Sequence, residues 1–308
     1  MSISIRERVS SGSAAFLFSF LLFSASSTYA SVDIDQQPLL VAKPVPGNMA
    51  IIGSFEFPTM VTRAYKGNYS SDGDYVGYFD SAKCYEYNYH VLEENRHFSP
   101  TRIASDCSQP NEWSGKLLNW ATMQSIDIFR HILTGGHRAL DSTTDTWLEK
   151  GVQTGQGSSG SNFPDANISS GISSSTPVPT SEWNSFKTRI GQSGTRMGNV
   201  MRFTDSGNLN SVNRIPYNPA LHSGASDFLP NAVYEVSVRV KVCVDGMLES
   251  NCKAYGSNYK PEGLIQENSD NMRYSAFGYL NDNSSPNPNR DGGIMHARMK
   301  YVGPEKID

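Results

Sequence analysis

The residues best suited to chemistry are four cysteines, which fall into two pairs of short spacing. Cys84 and Cys107 form the first pair, and Cys243 and Cys252 form the second. Such pairs in an exported chain indicate disulfides, although the sequence alone allows three pairings. Each local closure would stabilise the fold by roughly 3 kcal/mol in the loop-entropy model. A zinc site is less well supported, because the chain has no Cys-x-x-Cys motif and no neighbouring Cys/His pair.

Histidines and carboxylates offer no catalytic arrangement. Of the six histidines, only His131 and His137 lie near a predicted helix, and their spacing places them on different faces. The chain has no Gly-x-Ser-x-Gly elbow, no His-Glu-x-x-His motif and no phosphate-binding loop. Carboxylates such as Asp80, Glu86 and Asp127 show no spacing that would select two of them for acid–base work. The sequence therefore predicts a protein that is not an enzyme.

A loop near the C-terminal end concentrates the oxygen ligands that calcium prefers. Its members are Asp282, Asn283, Asn287, Asn289 and Asp291. The loop is not an EF-hand, because it lacks the terminal glutamate and prolines interrupt its spacing. An Asx-rich turn between two strands explains the same composition. Calcium is thus one of two interpretations, and no other cofactor is indicated.

Aromatic residues cluster around the first cysteine pair. Tyr85, Tyr87 and Tyr89 recur at every second position, as they would along a strand. An exposed row of this kind could bind a sugar or another protein. The alternative is that these rings pack around the disulfide, which is the commoner use of such residues.

The elements that must position these residues can be read from hydrophobic periodicity. Apolar residues at helical spacing predict a helix from Leu117 to Leu133, which the Gly135-Gly136 pair would end. A second, short helix is predicted over residues 143–150. Strand candidates are residues 48–52, 75–79, 233–244, 273–280 and 294–302. The valines of 233–244 alternate with polar residues, which predicts one buried and one wet face.

The first thirty residues have the parts of a secretory signal peptide, with Arg6 and Arg8 before an apolar core and a Thr-Tyr-Ala end. That core is too short to span a bilayer, which needs about twenty residues. We therefore expect an exported mature chain, residues 31–308, that forms a single domain and has no transmembrane segment.

Composition indicates where loops are expected and which class of partner is unlikely. Only 38% of the chain is hydrophobic, so long surface loops are expected. A tract rich in Ser, Gly and Asn at residues 151–180 is predicted to be an insertion or linker, because it can bury little apolar surface. Residues 190–229 are predicted to be loop-rich. The net charge of −4 without a basic patch makes nucleic acid an unlikely class of partner.

Two long stretches carry a family likeness. The first reads WSGKLLNWATMQSIDIFRHILTGGHR and follows YVGYFDSAKCYEY. The second reads VRVKVCVDGMLESNCKAYGSNYKPEGLIQ and precedes MRYSAFGYLND. Both resemble the N-terminal region of the PilC/PilY family of type IV pilus biogenesis proteins and tip-associated adhesins. Together these stretches and their flanks cover roughly half of the mature chain, in the family's order and with both cysteine pairs included.

The resemblance implies an α/β fold, a von Willebrand factor A-like three-layer sandwich with long loop insertions. In that domain an Asp-x-Ser-x-Ser loop after the first strand holds a divalent cation. Here residues 48–52 run into GSFEFPT instead, so no metal ligand is carried over. The polar face of residues 233–244 favours an alternative, an α+β fold in which this segment is an edge strand or part of a hairpin. Family members continue into a β-propeller, so a fragment or truncated form is expected.

The functional expectation follows from the resemblance. It implies a non-enzymatic pilus assembly factor or adhesin that supports piliation, attachment and twitching motility. Its partners would be pilins or minor pilins, and host or abiotic surfaces. Its location would be the periplasm, the outer membrane or the cell surface. A secreted carbohydrate-binding or hydrolytic module, using exposed aromatics near Cys84, is the alternative.

Overall fold

Short strands make up most of the regular structure. The computed structural model describes residues 46–53, 62–151, 164–178, 183–191, 198–281 and 290–303. Contacts group Pro46–Asp308 into one unit. The signal peptide predicted over residues 1–30 lies outside the described residues. Within the described part, no helix is long and apolar enough to cross a membrane.

The described elements give a mixed α/β fold, mostly sheets with few helices. The strands are β1 (Gly47–Ile52), β2 (Lys83–Asn88), β3 (His97–Ile103), β4 (Glu112–Ser114), β5 (Arg138–Asp141), β6 (Thr146–Glu149), β7 (Ala166–Ile168), β8 (Phe186–Ile190), β9 (Val200–Thr204), β10 (Arg214–Pro216), β11 (Val233–Ser237), β12 (Arg239–Val242), β13 (Cys252–Tyr255), β14 (Asn258–Pro261), β15 (Met272–Asn281) and β16 (Arg290–Lys300). The helices are α1 (Gly115–Thr122), α2 (Ser125–Thr134) and the short α3 (Leu264–Glu267), with 3-10 turns at Glu93–Asn95 and Ala225–Asp227.

Two large sheets form the core. The six-stranded sheet has the order β4-β2-β3-β12-β6-β5, and the five-stranded sheet has the order β10-β11-β9-β8-β7. Trp113, on β4, is fully buried between them. Its ring lies 6.0 Å from that of Phe98 in the first sheet and 5.3 Å from that of Phe203 in the second. Edge-to-face contacts of this kind stabilise aromatic pairs beyond the area that they bury.

A third, smaller sheet has the order β1-β15-β16. β1 pairs with β15 in parallel, and β16 pairs with β15 antiparallel. The strands predicted over residues 48–52, 273–280 and 294–302 correspond to these three. Several apolar side chains of the outer strands remain exposed, among them Met49, Ile52, Ile294 and Met295.

The predicted single helix from Leu117 to Leu133 is two helices. Met123 and Gln124 have extended backbones between α1 and α2. The chain at residues 62–64 pairs with this gap, since the Ala64 amide donates to the Met123 carbonyl at 3.0 Å and the Ser125 amide donates to the Thr62 carbonyl at 2.9 Å. A tertiary pairing thus replaces local helical hydrogen bonds, which hydrophobic spacing cannot reveal.

The predicted end of the helix at Gly135 is confirmed. Gly135 has φ 78°, and its amide donates to the His131 carbonyl at 3.0 Å. The next amide, of Gly136, donates to the Arg130 carbonyl at 3.1 Å. These two hydrogen bonds, which follow the left-handed turn at Gly135, satisfy carbonyls that the last turn of the helix would leave unpaired.

The single strand predicted over residues 233–244 is wrong in two respects. It is two strands, β11 and β12, one in each large sheet, and both are inner strands of their sheets. The predicted wet face is also wrong, because Ser237 and Arg239 are each only 3% exposed. The Arg239 guanidinium donates to the carbonyls of Glu93, Glu94 and Arg96 and forms an ion pair with Glu149. Polar partners therefore cover the second face, which removes the argument for an edge strand.

Three further predictions differ from the structure. Residues 75–79 form a loop rather than a strand, and the predicted helix at 143–150 is strand β6, whose Leu148 faces the core. In the tract at 151–180, the described part contains β7 and buries Ile172 and Val178, so this part is not a linker. Residues 190–229, predicted to be loop-rich, also contain β9, an inner strand of the five-stranded sheet. A segment with few apolar residues can still form a buried strand where neighbouring strands supply the rest of the core.

Two glycines with the same backbone conformation give a matched test of this packing. Gly135 and Gly246 have φ 78° and 76°. A Cβ on Gly135 would lie 2.5 Å from the Pro261 carbonyl oxygen, whereas one on Gly246 would meet nothing within 4 Å. We expect Gly246→Ala to lower the free energy of unfolding by about 1–2 kcal/mol, the cost of a left-handed alanine. Gly135→Ala should lower the free energy of unfolding by about 1–3 kcal/mol more than Gly246→Ala does, because β14 must also shift. Urea unfolding measures both, and equal losses would contradict the packing of α2 on β14.

Candidate functional site: a polar cavity beside the second disulfide

A cavity of about 300 Å³ opens beside the loop of residues 74–81. Its apolar walls include Phe79, Leu148 and Val242, from the loop, β6 and β12. Its polar lining includes Asp80 on the loop and Glu249 on the hairpin closed by the second disulfide. Cavities of this size can hold a small ligand or a partner's side chain.

The side chain of Asn119, on α1, holds the loop in place. Asn119 is fully buried, and its Nδ2 donates to the carbonyls of Tyr75 and Phe79, each at 2.6 Å. Its Oδ1 accepts a hydrogen bond from the Phe79 amide at 3.1 Å. A Cβ at position 77 would lie 2.2 Å from Asn119 Oδ1, so only glycine fits there. The Tyr-Val-Gly-Tyr-Phe sequence therefore encodes a loop clamped by one amide side chain.

Lys83, the first residue of β2, joins the loop to the disulfide hairpin. Its ammonium group is 2.7 Å from Glu249 Oε1, 3.1 Å from Asp80 Oδ2 and 2.6 Å from the Met247 carbonyl. Lys83 is only 1% exposed, so all of its charge is compensated inside the protein. Neither Lys83 nor Glu249 was identified from sequence. The one available signal was a lysine at a position of β2 that faces the core.

Glu249 also binds the disulfide hairpin itself. Its Oε2 accepts a hydrogen bond from the Cys243 amide at 2.8 Å and lies 3.2 Å from Cys252 Sγ. Cys243 has φ 55°, a left-handed conformation that is uncommon outside glycine. The disulfide and the carboxylate together hold this turn, which presents Glu249 to the cavity.

Both predicted cysteine pairs are disulfides in the structure. Cys84–Cys107 has a Cα separation of 5.4 Å and Cys243–Cys252 has one of 5.7 Å. Among the described residues, the groupings of metal-type ligands are these two pairs with Glu112 and with Glu249. Because the sulfurs are bonded to each other, neither grouping is a metal site.

The cavity also contains a histidine and a tyrosine. Burial lowers the pKa of His131, and within the described residues its Nδ1 has no hydrogen-bond partner. Burial raises the pKa of Tyr78, whose hydroxyl oxygen accepts from the His137 amide at 3.3 Å. The Ser81 hydroxyl donates a hydrogen bond to the Tyr75 carbonyl at 2.7 Å. The described lining residues thus form no nucleophile–base pair.

The predicted aromatic surface is wrong for two of its three residues. Tyr85 and Tyr87 are 0% and 3% exposed, because alternate residues of β2 face the core, where both rings pack against aromatic neighbours. Tyr89 is half-buried, and the Arg96 guanidinium lies 4.6 Å from the centre of its ring. These tyrosines therefore stabilise the sheet and offer no sugar-binding row.

The predicted calcium ligands cannot be placed. Asp282, Asn283, Asn287 and Asn289 lie outside the described residues, and the side chain of Asp291 is likewise not described. The GSFEFPT stretch, which stands where the family's metal loop would be, falls mostly outside them too.

Replacing Lys83 tests the polar link at the cavity. Lys83→Met would leave Glu249 and Asp80 without their cation, and we expect a loss of about 3–5 kcal/mol in unfolding free energy. Lys66→Met is the matched control, since Lys66 is exposed and a surface change should stay within about 0.5 kcal/mol. Adding Glu249→Gln to Lys83→Met should recover part of the loss. Similar values for the two single variants, from chemical unfolding, would show that Lys83 is not a structural link.

Comparison with known proteins gives a consistent result. The family described as "PilY1 homolog, small alpha/beta domain" matches residues 66–212. A type IV pilus biogenesis factor PilY1 homolog of Xylella fastidiosa strain Temecula1 is 44% identical over 296 residues, which cover 91% of this chain and 23% of that protein. A second PilY1 homolog of that strain is 29% identical over 254 residues, covering 75% of this chain and 16% of the other. No solved structure matches.

The chain spans less than a quarter of the length of these two relatives. The matched family domain contains the first disulfide, both α1 and α2, and the strands from β2 to β9. These matches agree with the motifs that flank Cys84 and Cys243. The chain belongs to the PilC/PilY family of type IV pilus biogenesis factors.

Proposed function

We propose that this chain is a non-enzymatic module that supports type IV pilus assembly and adhesion through protein contacts. The observation that carries the proposal is the 44% identity over 91% of the chain to a protein named a type IV pilus biogenesis factor. The described structure supports the non-enzymatic part of the proposal, because the cavity is bordered by a structural ion pair and its described lining residues form no nucleophile–base pair. Pilins or minor pilins are the proposed partners.

We place the protein outside the cytoplasm, in the periplasm, the outer membrane or at the cell surface. Two disulfides support this location, since such bonds form and persist in oxidising compartments. The predicted signal peptide is the route that we propose. Attachment to host or abiotic surfaces and twitching motility are the processes in which we expect a role.

The carbohydrate-binding alternative is not favoured. It required exposed aromatics near Cys84, and the two that are best placed, Tyr85 and Tyr87, are buried.

A core variant in the full-length gene tests the pilus role of this domain. Trp113→Ala should cost about 3–5 kcal/mol of stability, so we expect fewer surface pili, less twitching and weaker attachment than in wild type. Val212→Ser is the control, because Val212 is 84% exposed. The gene carrying this change should restore all three properties to a deletion strain. The measurements are pilin recovered by shearing, the twitching zone and adherent cell number. Normal values for the deletion strain in all three would overturn the proposed function.

We also propose that the β1-β15-β16 sheet belongs to a layered, von Willebrand factor A-like domain. The parallel pairing of β1 with β15 supports this, because parallel strands are normally covered on both faces. Met49 on β1 is nevertheless 43% exposed, and Ile52 is 77% exposed. Further layers would cover these side chains in a longer form of the protein.

Thiol labelling tests that coverage. Met49→Cys should react more slowly in a protein as long as the relatives than in the 308-residue chain, because packing would exclude the reagent. Val212→Cys should react equally fast in both lengths. Equal reactivity of Met49→Cys in the two lengths would contradict the layered arrangement.

A further inference from the structure

Three side chains with complementary chemistry, none of which lines the cavity, meet in a fully buried cluster. Lys150 and Asp127 are each 0% exposed, and Gln124 is 1% exposed. Lys150 Nζ donates a hydrogen bond to Gln124 Oε1 and lies 3.4 Å from Asp127 Oδ2. The cluster thus places a primary amine, a carboxamide and a carboxyl group in contact without solvent.

The fold brings these three residues together from two elements. Gln124 occupies the extended gap between α1 and α2, and Asp127 lies in the first turn of α2. Lys150 directly follows β6, where its amide donates to the Val238 carbonyl at 3.0 Å. Backbone pairing on both sides therefore fixes the separation of the amine and the carboxamide.

Asp127 is held in one orientation by backbone groups. Its Oδ1 accepts a hydrogen bond from the Gly151 amide at 2.8 Å, and its Oδ2 accepts one from the Gln124 amide at 3.2 Å. The first contact ties it to the chain beside Lys150, and the second ties it to the chain at Gln124. A carboxyl group fixed between an amine and a carboxamide can pass protons from one to the other.

We propose that Lys150 and Gln124 form an intramolecular isopeptide bond, with Asp127 as the proton-transfer group. The reaction would occur once per molecule, after folding has assembled the cluster. It needs no cofactor and no second substrate.

The proposed reaction balances within the three side chains. Asp127 first takes a proton from the Lys150 ammonium, and the freed lone pair on Nζ attacks Gln124 Cδ. The Nζ–Cδ bond forms, Asp127 gives its proton to Nε2, and the Cδ–Nε2 bond breaks to release ammonia. Asp127 then takes a second proton from Nζ, which leaves a neutral amide and a neutral carboxylic acid.

Burial favours both the reactive form of Lys150 and the uncharged product. Desolvation lowers the pKa of Lys150, and the nearby Arg130 charge lowers it further, although Asp127 opposes both effects. A larger share of the free amine, the reactive form, follows. The product also replaces a buried ammonium and a buried carboxylate with neutral groups, which removes the cost of keeping two ions away from water.

Such a bond would tie the start of α2 to the end of β6, residues that are 26 positions apart. A covalent closure at this point constrains the unfolded chain as a disulfide does. Reducing agents would not break it, so it would retain the link where the two disulfides are lost.

Peptide mass analysis of the exported full chain tests the proposal. We expect a branched peptide that joins Gln124 to Lys150 and is lighter than its two parts by one ammonia molecule, with trypsin failing to cut after Lys150. Asp127→Asn should abolish this peptide. Asp145→Asn, which alters the ion pair of Asp145 with Lys241, should leave it unchanged.

Two results would overturn the proposal. The first is a wild-type digest with normal cleavage after Lys150 and no branched peptide, which would leave the cluster as a buried ion pair. The second is a branched peptide lighter by one water molecule and joined through Asp127, which would show attack on the carboxyl group instead. Both are decided on the wild-type protein, so misfolding of a variant cannot obscure them.

Discussion

Residues 233–242 supply an inner strand to each of the two large sheets, and the packing of the described domain depends on this double pairing. β11 pairs with β9 and β10, and β12 pairs with β3 and β6. Between the two strands, Val238 is buried, and its amide donates to the Asn199 carbonyl at 2.8 Å. Neither sheet can separate from the other without breaking strand pairs. The aromatic contacts around Trp113 then form across a gap whose width this segment fixes.

Polar side chains complete the arrangement because apolar residues are too few to cover every strand. Arg239 binds three carbonyls at the end of the Glu93–Asn95 turn, where a cation also meets the negative end of a short helix. Lys83 likewise joins the cavity loop to the second disulfide hairpin, through the carboxylates of Asp80 and Glu249 and the Met247 carbonyl. Each of these buried cations joins segments that are far apart in sequence. Its removal would leave a buried partner uncompensated, which costs more than the lost contact itself.

Local signals in the sequence predicted some of this structure well. The glycine that ends α2, the strands of the small sheet and the short cysteine pairs each depend on neighbouring residues alone. The break at Met123 and the division of residues 233–244 depend on pairing with distant segments, so periodicity could not reveal them. Lys83, Glu249 and the Lys150 cluster were missed for the same reason, since each ion pair joins residues that only the tertiary fold brings together. For the tyrosines of β2, the sequence left a surface row and packing around the disulfide both open, because an alternating pattern does not state which face is buried.

Native-state hydrogen exchange tests most directly whether the two sheets form one cooperative unit. Amides of β3, β9 and β12 should exchange with closely similar free energies of opening, because residues 233–242 must leave both sheets together. Mild denaturant should lower the free energies of opening in both sheets by the same amount, because one cooperative opening exposes the same surface. Rapid exchange of β9 and β11 while β3 and β12 stay protected would contradict the account, because it would show that the five-stranded sheet opens independently.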